Sequence, residues 1–505
     1  MKTPAQKRQQ KTTLLWLIII LFSFLITNRL YIRIDATANK INTVSDFSKN
    51  LARSLDEPLT ITYFVSQRLY SSHHLPGYIN DFLIEYAAAS SGMIRYIKKD
   101  VRQSNLFSGM DTAEIHPRHI EITERNETAI VPVYSVIQIE YLDRCEILPS
   151  VFDINNLEYS ICSKILSLLG ERKKEIGILP GDPSKDFFSE YLYLAEELEK
   201  YGFLIKILEP GEYIYPWLDC LFVIGGTETL GVYDLQCIEE YIQGGGNVLF
   251  AVDAVTLNFD EGISARISWD NGLLEMLDSY GLSLQPALLL DESCLSLNLE
   301  VHAPNGMSEI KTIRYPPWPG ISSGSMNNEH PLSHGFTGID LYWASPIELL
   351  PVQDIKTTPL FFSSDNAWIE TDTFSVELND LSFFDNADKT REAPGRHILG
   401  AAATLPNSSR LIVIGDADFA GSLMGATLAK NKNCGFIVRS ALWLSGSEEL
   451  LKIIKKDKNI PGLDRIQNPE KRNSKKNFAV ILNVFILPFI LVLTGLTVIR
   501  VRKNK

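Results

Sequence analysis

The 505-residue chain contains no G-x-x-x-x-G-K-[ST] run, so it encodes no P-loop cradle for nucleotide phosphates. The glycines at 225–226 and 244–246 do not complete G-x-G-x-x-G either. No G-x-S-x-G elbow stands at a strand-to-helix turn, since the one match, Gly320-Ile321-Ser322-Ser323-Gly324, falls in loop chemistry, and no cysteine occupies a comparable turn, which argues against nucleophilic hydrolysis. C-x-x-C is also missing, and with it the usual zinc and thiol-redox motifs. Nothing resembles a lipobox, because the first of the six cysteines is Cys145. Cys162, Cys220, Cys237 and Cys434 fall in apolar patterns and read as reduced and buried, with a Cys220–Cys237 bridge left open. Histidine is scarce: His73 and His74 are adjacent and diverge, and Pro117 keeps His116 and His119 off one helical face. No metal site and no cofactor are expected.

Acidic residues are missing from both ends. Residues 1–34 carry six basic side chains and no acid, and residues 471–505 carry eight and no acid. Between them 34 basic residues face 61 acidic ones, a net charge of -27. Such a body repels phosphate backbones, which excludes nucleic acid as a partner. The chain as a whole is 45% apolar and 22% charged, a globular composition, and the length suggests several units.

Both ends read as membrane anchors. Leu14–Thr27 is uncharged and apolar, and an extension to Ile34 lets Arg29 and Arg33 snorkel to the far interface. A cleaved signal peptide is the competing reading, since Ala36-Thr37-Ala38 offers an A-x-A site. That site lies far beyond the apolar run, which favours a retained signal anchor. Phe478–Ile499 has no charge and is long enough as a helix to cross the hydrocarbon core. Pro488 and Gly495 are tolerable inside such a helix. The positive-inside rule then puts both basic tails, 1–13 and 500–505, in the cytoplasm and the bulk outside the cytoplasmic membrane. Lys471, Arg472, Lys475 and Lys476 oppose that orientation on the outer side, where they can meet anionic headgroups.

The middle divides into two expected domains. In 35–172, a smaller α+β unit, strand Leu59–Val65 is followed by turn chemistry at Pro76-Gly77. A helix over Tyr78–Ala89 and a strand over Met93–Ile97 come next. Ala129–Tyr141 is the strongest strand candidate, and Leu157–Leu169 closes the unit as a helix. In 173–454, strands at Ile176–Leu179, Phe203–Leu208, Cys220–Ile224 and Asn247–Val252 alternate with helices at Phe187–Tyr201 and Asp234–Gln243. That alternation predicts an α/β fold, a parallel sheet flanked by helices. An insertion spans about 254–395; within it Asn271–Tyr280 looks helical, while Pro316–Gly320 and Ser322–Asn328 read as loops. Arg410–Ile414 returns to the sheet, followed by a helix over Phe436–Leu444. A charged linker at 455–477 leads to the second span.

The candidate ligand-binding residues sit at strand ends. Gly225, Gly226 and Thr227 follow an apolar strand, where α/β sheets bind ligands, or they form an ordinary tight turn. Asp253 ends the next strand. Asp416 and Asp418 end the late one, where they could hold a cation, act as acid and base, or simply form a turn and cap a helix after the strand. No catalytic residue is assigned.

The ordered set of segments resembles the GldG-like auxiliary subunits of gliding-motility-type ABC transporters. Its carriers are ITYFVSQRL, VYSVIQIEYLDRCEILP leading into LEYSICSKILSLL, EIGILPGD, and IEEYIQGGGNVLFAVD. LLEMLDSYGLSL, EHPLSHGF, SRLIVIGDADFAGS and IPGLDRIQNPEK come after them in the same order. One departure is AVDAVT at 251–256, where such proteins carry proline after the aspartate. The resemblance implies an amidotransferase-like α/β core without catalytic residues, and separate permease and ATP-binding subunits as partners. The expected function is a non-enzymatic auxiliary or substrate-recognition subunit with ATP hydrolysis elsewhere and an unknown extracytoplasmic ligand. The alternatives are an envelope hydrolase using Asp253, Asp416 or Asp418, and a structural scaffold.

Overall fold

Apolar strands alternating with amphipathic helices set the architecture of the computed structural model. It describes residues 43–454, apart from 102–114, 125–126, 153, 155, 259–262, 303–307, 372–373, 377–391 and 428. The expected spans at 14–34 and 478–499, the linker at 455–477 and both basic tails lie outside the described residues. Among those described, no helix is long and apolar enough to cross a membrane.

The first part opens with α1 (Asp46–Arg53), capped by the Ser45 side chain. A four-stranded sheet comes next in the order β2-β1-β3-β4, built from β1 (Leu59–Val65), β2 (Ile94–Asp100), β3 (Ser135–Tyr141) and β4 (Arg144–Leu148). Helix α2 (Leu75–Ala89) connects β1 to β2, and α3 (Leu157–Leu168) closes the unit. Pro76 and Gly77 do not form a turn before α2 but lie inside its first turn, where a missing N–H costs nothing. The stretch 129–141 is two strands rather than one. Glu127–Val133 pairs with Arg118–Glu124, while β3 pairs with β1, so the chain changes partner at Tyr134.

The second part is built on one nine-stranded sheet. Its strands are β5 (Glu175–Pro180), β6 (Leu204–Ile207), β7 (Cys220–Ile224), β8 (Val248–Ala251), β9 (Leu282–Leu284), β10 (Ile347–Leu349), β11 (Lys356–Phe362), β12 (Ile398–Thr404) and β13 (Arg410–Ile414). The order is β6-β5-β7-β8-β13-β12-β10-β9, with β11 also paired to β12. β6, β5, β7, β8 and β13 are mutually parallel, whereas β12, β11, β10 and β9 add antiparallel strands. The sheet is therefore mixed, and three of its strands come from the stretch 254–395 that the sequence suggested was an insertion.

Strand residues alternate between two hydrophobic layers. Cys220, Phe222, Ile224, Leu249, Ala251, Ile412 and Ile414 face one layer. Leu221, Val223, Val248, Phe250, Leu411 and Val413 face the other. The first layer is covered by α4 (Leu192–Lys200) and α6 (Lys430–Leu444), the second by α5 (Val232–Gln243). The first layer also takes in Ile61, Tyr63 and Ile137, so the core is continuous across the boundary expected near 172. Cys220 and Cys237 lie in different layers and both are free thiols, which removes the bridge left open above.

The Pro316–Gly320 segment is not a loop. Ser308–Ser322 is one long strand, and the prolines at 316 and 317 fall where its register against Cys294–His302 shifts, between the Leu295–Tyr315 and Cys294–Pro319 pairs. A bulge needs no ladder donor there, so proline is tolerated.

Segment 341–345 docks on the end of β13. The Ser345 amide donates to Gly415 O at 2.7 Å, and a Cβ on Gly415 would run into the Ser345 carbonyl oxygen. Gly415→Ala should therefore cost about 2 kcal/mol or more. Chemical denaturation measures this, and an unchanged midpoint would refute the docking constraint.

Candidate functional site

The parallel strands end side by side, and the turns after them enclose a crevice of about 510 Å³. β6 lies on one side of β5 and β7 on the other, so the chain reverses its direction of travel between β5 and β7. Ligands of open α/β sheets bind beyond the carboxyl ends of strands at such a switch point. The turns after β5 and β7 both line the crevice.

Backbone geometry explains the glycines. The ladder continues past the strands, with Gly181 N–H donating to Ile224 O at 2.7 Å and Gly225 N–H to Ala251 O at 2.8 Å. Gly225 and Gly226 have φ of 73° and 99°, and a Cβ on Gly226 would meet Leu230 at 2.6 Å. A Cβ on Gly181 would collide with the Gly226 backbone, so the two turns touch only because both are glycine. Thr227 is buried and its hydroxyl donates to Asp253 O at 2.7 Å, tying the β7 turn to the β8 turn. The Thr229 hydroxyl donates to Gly181 O and closes the same ring of turns.

Of the residues expected from sequence, Gly225, Gly226, Thr227, Asp253 and Asp418 line the crevice together. Asp416 does not line it. Its carboxylate is fully buried behind the β13 turn, accepting from Tyr342 N–H at 2.6 Å and Phe419 N–H at 3.0 Å. Asp416 is thus a staple between the 341–345 segment and the strand end.

Sequence reasoning missed Asp182, Lys185, Glu190, Tyr191, Tyr342 and Trp343, which also line the crevice. Asp182 and Lys185 come after β5 as Gly225 comes after β7, so the same strand-end argument could have found them. Tyr342 and Trp343 arrive from a distant segment, and no local signal marks them. Trp343 holds φ at 54°, a left-handed conformation that is costly for a bulky residue. Its amide donates to Pro317 O at 2.8 Å and its indole N–H to the Tyr315 hydroxyl at 3.1 Å. Strain of this kind gathers at ligand sites.

The electrostatics are dominated by carboxyls that share one ammonium. Lys185 Nζ lies 3.2 Å from Asp418 Oδ1 and 4.0 Å from Glu190 Oε1. Burial works against that ammonium, but the nearby Asp418 and Glu190, with Tyr191, outweigh it and hold Lys185 above the ordinary lysine range. Glu190 also accepts from the Ser422 hydroxyl at 2.9 Å. Burial raises the Asp418 carboxyl, with Lys185 opposing. Asp253 accepts from Ala417 N–H at 2.8 Å and is pushed up to about 7, first by burial and then by Asp418. Burial and the neighbouring Asp253 and Asp418 carboxyls raise Asp416 further. Among the described residues, no three His, Cys, Asp or Glu side chains gather as ligands for a metal ion. The crevice offers carboxyl acceptors, one shared cation and an aromatic wall, a set suited to holding a small polar ligand.

A family described as an ABC-type uncharacterized transport system matches residues 173–436, more than half of the chain. A domain of unknown function, DUF7088, matches residues 38–140. An uncharacterized protein of Borreliella burgdorferi is 26% identical over 485 residues, covering 92% of each chain. Among solved structures, the N-terminal domain of mmIFT52 aligns with a TM-score of 0.34 and 10% identity, over 53% of this chain and 96% of that one. A ThuA-like protein from Parabacteroides merdae aligns at 0.30 and 12%, over 55% and 91%. Both scores lie below the level at which a shared fold is inferred.

The Asp253 shift has a definite sign. A carboxyl raised in the folded state contributes stability at pH below its unfolded value and loses it as pH climbs through the folded value, here from about 4 to about 7. Asp253→Asn keeps an acceptor for Ala417 N–H and removes the ionisation. Its stability relative to the native chain should rise between pH 4 and pH 8, by at most about 4 kcal/mol. Thermal unfolding across that range checks this; a pH-independent gap would refute the assignment.

Proposed function

Because this chain belongs to the family described as an ABC-type uncharacterized transport system, we propose that it is a non-enzymatic auxiliary subunit that recognises a ligand for a transporter in the cytoplasmic membrane. The crevice at the carboxyl ends of β5, β7, β8 and β13 carries this reading. It is the size of a small-molecule site, and backbone approach, strain and buried charge converge on it. Permease and ATP-binding subunits would be separate chains, consistent with the missing P-loop. Apolar runs at 14–34 and 478–499 support two anchors with cytoplasmic tails and an extracytoplasmic body. The likeness to GldG-type subunits belongs to the same proposal.

A second reading, a membrane-anchored hydrolase, draws on Asp253, whose carboxyl titrates near neutrality beside Asp418. Asp416 contributes little to it, because backbone amides occupy its carboxylate. A structural scaffold shares most expectations with the first reading, except that it needs no occupied crevice.

The deciding experiment is purification from native membranes in mild detergent after crosslinking in intact cells. Stoichiometric recovery of a permease and an ATP-hydrolysing subunit is expected, and recovery of this chain alone would overturn the proposal. In the recovered complex, Asp418→Asn should leave basal ATP hydrolysis unchanged while abolishing its stimulation by envelope extract. Conversion of extract components by this chain alone, stopped by Asp253→Asn, would favour the hydrolase.

A further inference from the structure

The crevice at the carboxyl ends of the parallel strands carries an unbalanced charge. Among its lining residues five carboxyls, Asp182, Glu190, Glu228, Asp253 and Asp418, stand against one ammonium, Lys185. Glu228 is answered from outside the lining, where Arg266 donates from Nη1 to Oε1 at 2.6 Å and from Nη2 to Oε2 at 3.0 Å. Lys185 is divided between Asp418 and Glu190. Five carboxyls therefore meet two cations, and three negative charges stay unanswered when all are ionised.

The same groups keep acceptor atoms open. Asp182 takes the Ser184 amide and hydroxyl on Oδ1, at 2.9 and 2.6 Å. Asp253 uses Oδ1 on the Ala417 amide, and Asp418 uses Oδ1 on Lys185. Among the described residues, no donor reaches Oδ2 of any of the three. They come from separate turns, after β5, β8 and β13, and no three acids gather closely enough to hold a metal ion. Such spacing suits positive charge distributed along a ligand rather than concentrated on one ion. The aromatic wall favours the same charge. The Tyr342 hydroxyl is engaged with the Thr427 hydroxyl, and the Trp343 indole N–H donates to the Tyr315 hydroxyl. What these two residues offer the crevice is ring surface, which attracts ammonium groups. A neutral polyol could fill the open oxygens but would leave the charge unanswered.

We propose that the crevice binds a small organic dication with two ammonium groups, such as an aliphatic diamine, seated between Asp182, Asp253, Asp418 and the rings of Tyr342 and Trp343. The proposal rests on the reading of the crevice as a ligand-recognition site. It also gives binding a pH dependence. Asp418 and Asp416 face Asp253 with like charge and Lys185 faces it with opposite charge; burial first, then Asp418, pushes its carboxyl up to about 7. A neighbouring ammonium favours the ionised form. Binding should therefore expel the Asp253 proton and tighten as pH rises through that value.

The test titrates the full chain in non-ionic detergent with 1,4-diaminobutane by calorimetry at physiological ionic strength. Saturable one-to-one binding is expected, tightening about eightfold between pH 6 and pH 7.5 with proton release to the buffer. Asp253→Asn should remove that pH dependence. Asp182→Asn, on a half-exposed turn, should weaken binding about tenfold without lowering the melting temperature. Glu449→Gln alters a carboxyl outside the crevice, on the last described helix α7 (Glu448–Ile454), and should leave the affinity as it was. Absence of saturable binding, equal competition by magnesium, tighter binding of sorbitol, or equal losses in Asp182→Asn and Glu449→Gln would overturn the proposal. A chain that recovers permease and ATP-hydrolysing subunits but binds no diamine overturns the dication alone. A chain that binds diamine but recovers neither subunit overturns the transporter reading alone.

Discussion

The parallel ladder of β5, β7, β8 and β13 carries two loads at once. Its side chains are split between two apolar layers, and its carboxyl ends must stop at the same height for the turns beyond them to meet. A one-residue slip would exchange the layers, so burial on both faces fixes the register more firmly than hydrogen bonding alone. Phe222 and Phe250, fully buried on opposite sides, each contribute on the order of 2–3 kcal/mol to that fixity. The crevice inherits its geometry from this register. Gly181 can lie against Gly226, and Thr227 can reach Asp253 O, only with the strands aligned as they are.

Local cost accumulates at the same end of the sheet. Three carboxyls are raised by burial and mutual repulsion, and Lys185 answers only part of their charge. Trp343 holds a left-handed backbone there, and Asp416 uses both oxygens on amides to fasten the strand end to the 341–345 segment. The opposite arrangement holds around the first and last described helices. Around α1, α3 and α7 the ionic groups are paired in the ordinary way, and the buried carboxylate described there, Glu158, accepts from Ser45 and Ser48 and positions the start of α1. One pole of the body thus concentrates charge without full compensation, while at the other the cations are matched by neighbouring carboxylates.

Strands covered on both faces were legible because their composition is continuous and β-branched. Leu59–Val65, Cys220–Ile224 and Arg410–Ile414 lie at the limits their apolar runs suggested. Stretches whose role depends on a remote partner were not legible. The 129–141 run reads as one strand because nothing local says that Tyr134 marks a change of partner. The prolines at 316–317 read as loop because the bulge that tolerates them is a property of the pair, not of the strand. The three-residue strands β9 and β10 gave no period long enough to reveal that they extend the main sheet, and the seven residues of β11 say nothing of their remote partner β12.

The candidate site divides along the same line. Glycines and an aspartate directly after apolar strands announce a crevice, because the carboxyl end of a parallel strand is where backbone amides and turns are left to face a ligand. The sequence by itself therefore determined the strand-end residues Gly225, Gly226, Thr227, Asp253 and Asp418, as well as the charge asymmetry between the ends and the middle. Only tertiary structure could decide that Asp416 turns inward, that Lys185 is the cation Asp418 shares, and that Tyr342 and Trp343 wall the crevice. Those facts depend on segments tens to hundreds of residues apart, brought together by burial of apolar surface, which has no direction along the chain and leaves no local pattern.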